Sequence, residues 1–191
     1  MDKKLFIPVL LGTPRKNRES GNIANWVCSK MRERDDIETH LFDVCDFQLP
    51  HNHYGQEIKD QFPEWRDAVV RADGLVIVTP EYNHGYPGSL KSVLDLLLKE
   101  YIHKVVAFVG VSSGPWGGTP VIEACIPMVR ELGLGVAFSD LNFPRVKDKF
   151  HADGKLLDEA YNSRVADFLD ELAWMATTLR WGRENVPSKF H

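Results

Sequence analysis

Apolar positions along the 191-residue chain fall into two patterns, continuous runs and helical repeats. Continuous apolar runs at 5–12, 75–78 and 105–111 predict strands that are buried on both faces, as in a parallel sheet. The segments 37–44 and 134–138 predict two more strands, and the many polar positions of the first suggest that it lies at an edge of the sheet. The chain therefore has five predicted strands.

Between the strands, apolar residues recur three and four positions apart, which predicts amphipathic helices. Pro127 is expected to kink or interrupt its helix, and Pro8 to lie at a strand start or a bulge. Strands that alternate with helices favour an α/β fold with a five-stranded parallel sheet, right-handed crossovers and the strand order 2-1-3-4-5. The helices are expected at 23–31, 62–72, 93–98, 121–132 and 161–179.

Composition narrows the classes of function. Apolar residues at 43% and charged residues at 26% are ordinary for a single globular domain, which we expect to span 1–191, with a tail at 181–191 that is flexible or reaches a partner subunit. The net charge of −4 offers no basic surface for nucleic acid, and no apolar run reaches membrane-spanning length. Without a secretory signal or a disulfide framework among its three cysteines, the protein is expected to be cytoplasmic.

A long polar segment at 47–61 contains His51-Asn52-His53, which invites a metal-binding interpretation. Two histidines without a nearby cysteine or paired carboxylate are more often exposed to solvent, so we predict no metal site. Long insertions in α/β folds commonly shape substrate entry. We therefore expect this segment to border the active site.

The central loop, residues 79–91, joins the third strand to a helix and is the most informative part of the chain. Tyr82, Asn83 and His84 provide an aromatic face and side-chain hydrogen bonds, while Gly85 and Gly88 let backbone N–H groups approach a ligand closely. The alternative is a polar turn in which Ser89 caps the helix. Because the loop combines all of these features, we favour a site for a flat ligand with polar edges.

The first loop, residues 13–22, follows the first strand and leads into a helix. Thr13, Arg15, Ser20 and Asn22 can donate hydrogen bonds where free N–H groups and the positive end of the helix dipole converge, which suits a phosphate monoester. Alternatively, Ser20 or Asn22 merely caps the helix and the basic side chains are solvated. The loop has neither a dinucleotide fingerprint nor a Walker A motif.

The third loop, residues 112–118, follows the fourth strand and contains three glycines. Its strand should lie next to the strand that carries the central loop, so the two loops can hold one planar ring between them. Trp116 is bulky and could cover the ring, line the substrate pocket or pack away from both. The three loops together suit a phosphate with a tethered planar heterocycle.

The string PEYNHGYPGSLK in the central loop resembles the flavin loop of the NADPH-dependent FMN reductase family, which includes flavodoxin-like quinone and azo-dye reductases. Gly12-Thr13-Pro14-Arg15 and Ser20-Gly21-Asn22 match the family's phosphate loop, although the stretch between them is longer than usual and leaves open whether Arg15 or Arg18 faces the phosphate. The resemblance covers nearly the whole chain. It implies a flavodoxin-like three-layer sandwich that binds FMN.

Most of the implied FMN-binding positions lie in the three loops. They are Thr13, Arg15, Arg18, Ser20, Asn22, Ile23, Pro80, Glu81, Tyr82, Asn83, His84, Gly85, Ser112, Ser113, Gly114 and Gly117.

The resemblance implies an enzyme in which NADPH, or NADH, reduces bound FMN and a quinone, an azo compound or a similar small molecule then takes the electrons. No catalytic side chain is predicted, because the flavin carries the chemistry. His84 is a candidate proton donor to the acceptor. The spacing of Lys91 and Asp95 matches a family feature that helps subunits meet, so we expect a homodimer or homotetramer.

Two other functions fit a similar sheet. A flavodoxin-like electron carrier would have a first loop richer in Thr and Gly and a strongly acidic surface, which this sequence lacks. A flavin-free regulatory or interaction protein would keep the fold without binding flavin.

Overall fold

The computed structural model describes residues 3–50, 52–53, 55–151 and 155–190. Its helices are α1 (Ser20–Arg32), α2 (Pro63–Arg71), α3 (Gly88–Leu94), α4 (Thr119–Glu131) and α5 (Ala160–Asn185). Its strands are β1 (Leu5–Phe6), β2 (Val9–Leu11), β3 (Ile37–Glu38), β4 (Leu41–Asp43), β5 (Gly74–Pro80), β6 (Val105–Val111), β7 (Gly135–Val136) and β8 (Leu141–Phe143).

The main sheet is parallel and has six strands in the order β4-β2-β5-β6-β7, with β8 also paired to β6. A separate parallel pair joins β1 to β3. The predicted first strand is thus split at Pro8, which has no N–H to donate, although Ile7 and Val9 on either side still donate to the neighbouring segment, to Glu38 O at 2.9 Å and His40 O at 2.8 Å. The predicted α/β parallel sheet is confirmed, and its predicted edge segment, β4, lies at one end of the order.

Helices cover both faces of the sheet and form two hydrophobic cores. Val76 and Ala107 pack on the face that carries α1 and α5, whereas Ile77 and Phe108 pack on the face of α2, α3 and α4. Successive strand residues point to opposite faces, so strands buried on both sides need continuous apolar runs. Burial of these side chains from water is the main source of stability.

Several predicted boundaries were wrong. α3 ends at Leu94 instead of reaching Leu98, because the chain leaves the helix to bury Leu96 and Leu97. α4 runs unbroken through Pro127, which faces solvent. α5 continues to Asn185, into the predicted tail, because its last turns carry arginines that bind the body of the protein. The short β8 was not predicted.

Candidate functional site

Three loops meet where β2, β5 and β6 end, since the carboxyl ends of adjacent parallel strands share one edge of the sheet. The first and central loops are joined by a hydrogen bond of 2.7 Å between Thr13 Oγ1 and the Tyr82 hydroxyl. The central loop lies beside the start of the third, since the Glu81 N–H donates at 2.9 Å to the carbonyl oxygen of Val111, the last residue of β6. The predicted convergence of the three loops therefore exists in the structure.

The first loop presents a buried hydroxyl at the start of α1. Ser20 is only 2% exposed, and its Oγ has no hydrogen-bond partner among the described residues. The N-cap is Glu19, whose side chain makes no capping hydrogen bond, so the alternative in which Ser20 or Asn22 caps the helix was wrong. An unpaired buried hydroxyl at a helix N-terminus favours an anionic ligand. Asn22 is exposed nearby, whereas Ile23 is buried in the core.

The two candidate arginines of the first loop have different surroundings. Arg18 pairs with Asp43 and also donates to Thr13 O and to Cys45 Sγ. Arg15 is exposed, and its side chain has no partner in the part of the chain that the structure describes. Arg15 is thus the guanidinium that is available to a ligand. Asp43 and Cys45 were not among the predicted site residues, since nothing in the sequence links them to Arg18.

After Pro80, the last residue of β5, the central loop forms a tight hairpin in which Tyr82 and Gly85 exchange backbone hydrogen bonds of 2.9 and 3.0 Å. Asn83 and His84 occupy its tip with φ of 51° and 62°, in the left-handed region. Their two N–H groups have no acceptor among the described residues. The N–H of Gly85 is used within the hairpin, so of the backbone N–H groups at 83–85 only those of Asn83 and His84 are available to a ligand.

Glu81 and His84 form a pair on this hairpin. Oε1 of Glu81 lies 3.1 Å from Nδ1 of His84, whose side chain is largely exposed. Oε2 of Glu81 is buried and has no partner within the described residues. Ser89 donates to Gly12 O at 3.2 Å and follows the N-cap Pro87, so the alternative in which Ser89 caps the helix was wrong.

The third loop is fixed by its own hydrogen bonds and by hydrogen bonds from the turn after β8. Ser112 Oγ donates to Gly114 O at 2.9 Å, and the N–H groups of Arg145 and Val146 donate to Gly114 O and Ser112 O at 3.0 and 3.1 Å. A Cβ on Gly114 would meet no other atom within 4 Å, which leaves room for a ligand there. Ser113 is exposed beside it.

The contact of Gly117 with FMN stays a prediction. Its φ is +61°, and a Cβ would lie 2.9 Å from the side chain of Asn142. Packing within the protein therefore requires this glycine. Trp116 is 67% exposed and packs away from the core. Arg145, with φ of 48°, supports the loop through its backbone and was missed, since a left-handed arginine has no signature in sequence.

A cavity of about 700 Å³ lies beside the first loop and the start of α3. Its walls include Pro14, Val44, Phe47, Leu49 and Val93, so the segment 47–61 does contribute to its lining. His53 lies 3.7 Å from Glu57, and His51 lies outside the described residues.

The described residues give no support for a metal site or a reactive cysteine at Cys28 or Cys125. No group of three or more His, Cys, Asp or Glu side chains suited to a metal ion occurs within the described ranges. Burial raises the pKa of the Cys28 thiol to about 11 and that of Cys125 to about 12, so both stay protonated. The helices that the structure describes include none long and apolar enough to cross a membrane.

These groups fit FMN on structural grounds. Ser20 and Arg15 can receive a phosphate at one end of the site. The free N–H groups of Asn83 and His84, with the unpaired Glu81 oxygen, can serve the polar edge of a heterocycle at the other.

Comparisons with known proteins agree with this assignment. The model of the family described as NADPH-dependent FMN reductase matches residues 6–148. An NADPH azoreductase of Bacillus sp. (strain OY1-2) is 32% identical over 86% of this chain and 88% of its own length. The FMN-dependent NADPH-azoreductase of Staphylococcus aureus is 25% identical over 86% of this chain and 91% of its own length.

Solved structures share the fold. The flavoenzyme NAD(P)H:(acceptor) oxidoreductase FerB from Paracoccus denitrificans gives a TM-score of 0.77 at 20% identity, over 91% of this chain and 98% of that one. The apo form of an NADH:FMN oxidoreductase, EMOB, gives 0.69 at 20% identity, over 98% of this chain and 95% of that one.

Proposed function

The chain belongs to the NADPH-dependent FMN reductase family and is an NAD(P)H-dependent FMN oxidoreductase, and we propose that its first, central and third loops hold the FMN. The observation that carries this proposal is the buried, unpaired Ser20 hydroxyl at the start of α1, with the free Arg15 on the same loop. A hydroxyl buried without a partner costs about 1–3 kcal/mol. A bound phosphate would remove that cost.

The chain's own residues bind and orient in this proposal. Ser20 and Arg15 bind the phosphate, while the N–H groups of Asn83 and His84 donate to the ring edge. The hydrogen bond between Thr13 and Tyr82 fixes the spacing between these two ends. When bound, FMN supplies the hydride transfer between nicotinamide and acceptor. The proposed set further includes Asn22, Ile23, Pro80, Glu81, Gly85, Ser112, Ser113 and Gly114.

His84 is the proposed proton donor to the acceptor. Its Nδ1 faces Glu81 Oε1 at 3.1 Å, which leaves Nε2 on the exposed side of the ring to hold and release a proton. Reduction of an azo or quinone acceptor by two electrons also requires protons. The exposed imidazole can give one and regain it from water.

We propose azo compounds and quinones as the acceptors. Relatives from Bacillus and Staphylococcus are named as azoreductases. The cavity beside the first loop is walled in part by Phe47, Leu49 and Val93, which suits a planar aromatic molecule.

The proposed assembly is a homodimer or homotetramer of one-domain subunits that span 1–191. Support comes from the groove between α3 and α4, which contains the Lys91–Asp95 pair and Leu98, 37% exposed. Light scattering should show a smaller particle for Leu98→Glu than for the unchanged protein. The three free cysteines support a cytoplasmic location.

We propose five strands in the order 2-1-3-4-5. The observed order supports this when β1 is counted with β2, β3 with β4 and β7 with β8.

An anaerobic absorbance experiment tests the proposed function. The purified protein is reconstituted with FMN, then mixed with NADPH, then with a quinone or an azo dye. We expect the flavin bands to bleach with NADPH and return with the acceptor. FMN that binds but is not reduced would instead indicate an electron carrier, and failure to bind FMN would indicate a flavin-free protein.

A further inference from the structure

Polar contacts connect three adjacent strands at their carboxyl ends. Asp43, the last residue of β4, pairs with Arg18 of the first loop. Arg18 donates to the carbonyl oxygen of Thr13, just after β2, and the Thr13 hydroxyl bonds Tyr82 after β5. These contacts, from Asp43 to Tyr82, form a polar chain. It spans the loops proposed to hold the phosphate and the ring.

Both Nη atoms of Arg18 make contacts within the polar chain. One Nη contacts Thr13 O and Cys45 Sγ, and the other contacts Oδ2 of Asp43. The second oxygen of Asp43 accepts from the Cys45 N–H at 2.9 Å. Both side chains of the pair are largely buried, with exposures of 18% and 22%. The contact with Asp43 already neutralises the Arg18 charge, so a phosphate that drew the Nη atoms away would have to break it.

We propose that Arg18 is a positioning residue, which acts through Asp43 and Thr13 to hold the first loop in the shape that binds FMN and does not itself bind the phosphate. This inference rests on the proposed function and extends it to Asp43, a residue outside the predicted site.

The direction in which Asp43→Asn changes FMN affinity distinguishes the two possible roles of Arg18. If Arg18 bound the phosphate, Asp43→Asn would remove a competing negative charge and strengthen FMN binding. If Arg18 positions the first loop, Asp43→Asn frees Arg18 from its partner, the loop loses its shape, and FMN binding weakens. We expect a loss of about tenfold, as is typical when a charged hydrogen bond is removed.

The test is a titration of the apoprotein with FMN and with riboflavin, followed by flavin fluorescence. We expect Asp43→Asn and Arg18→Gln each to weaken FMN binding, and the double variant to lose no more than either single variant because both break the same contact. Both single variants should keep a preference for FMN over riboflavin, whereas Arg15→Gln should lose it. Arg34→Gln is the control, because Arg34 follows the carboxyl end of α1, whereas the first loop leads into its amino end.

Three results would overturn the inference. They are tighter FMN binding by Asp43→Asn, loss of the FMN preference in Arg18→Gln, and unchanged affinity in both variants. Arg18→Lys provides a second variant should Arg18→Gln unfold in the thermal scan that accompanies each titration. Lysine keeps the charge but lacks the forked donors, so a positioning role predicts weaker binding and a phosphate-binding role predicts little change. Failure of the unchanged protein to bind FMN would contradict the proposed function itself, and this inference with it.

Discussion

Both ends of the sheet carry aspartate–arginine clusters, and they differ in what is left unpaired. At the amino ends, Asp73 just before β5 accepts hydrogen bonds from the Phe6 N–H and from Arg180 and Arg183 of α5. Other N–H groups of these arginines donate to backbone carbonyls, including Lys3 O at 2.7 Å and His103 O at 2.8 Å. This cluster fastens the last helix to the sheet.

At the carboxyl ends, the Arg18–Asp43 pair lies beside atoms that have no partner. Within the part of the chain that the structure describes, Ser20 Oγ and Glu81 Oε2 are buried and unpaired, and the N–H groups of two left-handed residues have no acceptor. Nε1 of Trp65 and the hydroxyl of Tyr101 are also buried without a hydrogen-bond partner among the described residues, but these two side chains lie in the hydrophobic core. The comparison shows how the two kinds of cluster differ. Polar groups that hydrogen-bond to one another indicate a structural cluster, whereas buried polar atoms without partners at the strand ends indicate a binding site.

The largest effect is expected from Asp73→Ala. It would leave two largely buried guanidinium groups without their carboxylate, and removal of one partner of a buried pair typically costs about 3–5 kcal/mol. Urea unfolding should report a loss of that order. The FMN affinity of the folded protein should stay within about twofold, and a larger change would contradict the structural role.

The pH dependence of stability should follow from the same carboxylate. Burial alone would raise the pKa of Asp73, but hydrogen bonds from Arg180 and the Phe6 N–H, with the charges of both arginines, lower it overall. The cluster therefore stabilises the fold fully above the ordinary Asp pKa of about 4, and this contribution is lost as the pH falls through the lower pKa of the folded state. The unfolding free energies of the unchanged protein and Asp73→Asn should converge below pH about 4. A constant difference down to pH 2 would contradict this assignment.

Ser20→Ala should separate binding from stability at the other end of the sheet. FMN affinity should fall about tenfold, since one hydrogen bond to a phosphate is lost. The apoprotein should be unchanged or more stable by up to about 1 kcal/mol, because a buried hydroxyl without a partner is removed. Titration and urea unfolding give the two values. Ser29→Ala, an exposed position on the same helix, is the control, and a clear loss of apoprotein stability in Ser20→Ala alone would show that Ser20 already has a structural partner.

The smallest effect is expected at a surface pair. Asp170 contacts Arg34 at 2.5 Å, but its side chain is 68% exposed. Solvent-exposed pairs contribute about 0–1 kcal/mol, so Asp170→Asn should barely move the urea midpoint. A loss as large as that of Asp73→Ala would mean that burial does not distinguish these pairs.

The sequence could predict what local patterns control. The apolar runs identified β5 and β6, and the turn chemistry at residues 79–91 identified the central loop. The pattern could not show which N–H groups stay free, because that depends on the pairing of Tyr82 with Gly85. It also gave no sign that Asp73 would meet Arg180, 107 residues away, since such contacts depend on the assembled fold.

Amide hydrogen exchange with and without saturating FMN tests the central claim most directly. The comparison should use amides that exchange by local opening, because a ligand also slows exchange through global unfolding. We predict added protection in the first, central and third loops, strongest at Asn83 and His84, and none at Phe6 or Asp73. Protection at the amino ends of the strands, or none at the three loops, would contradict the account.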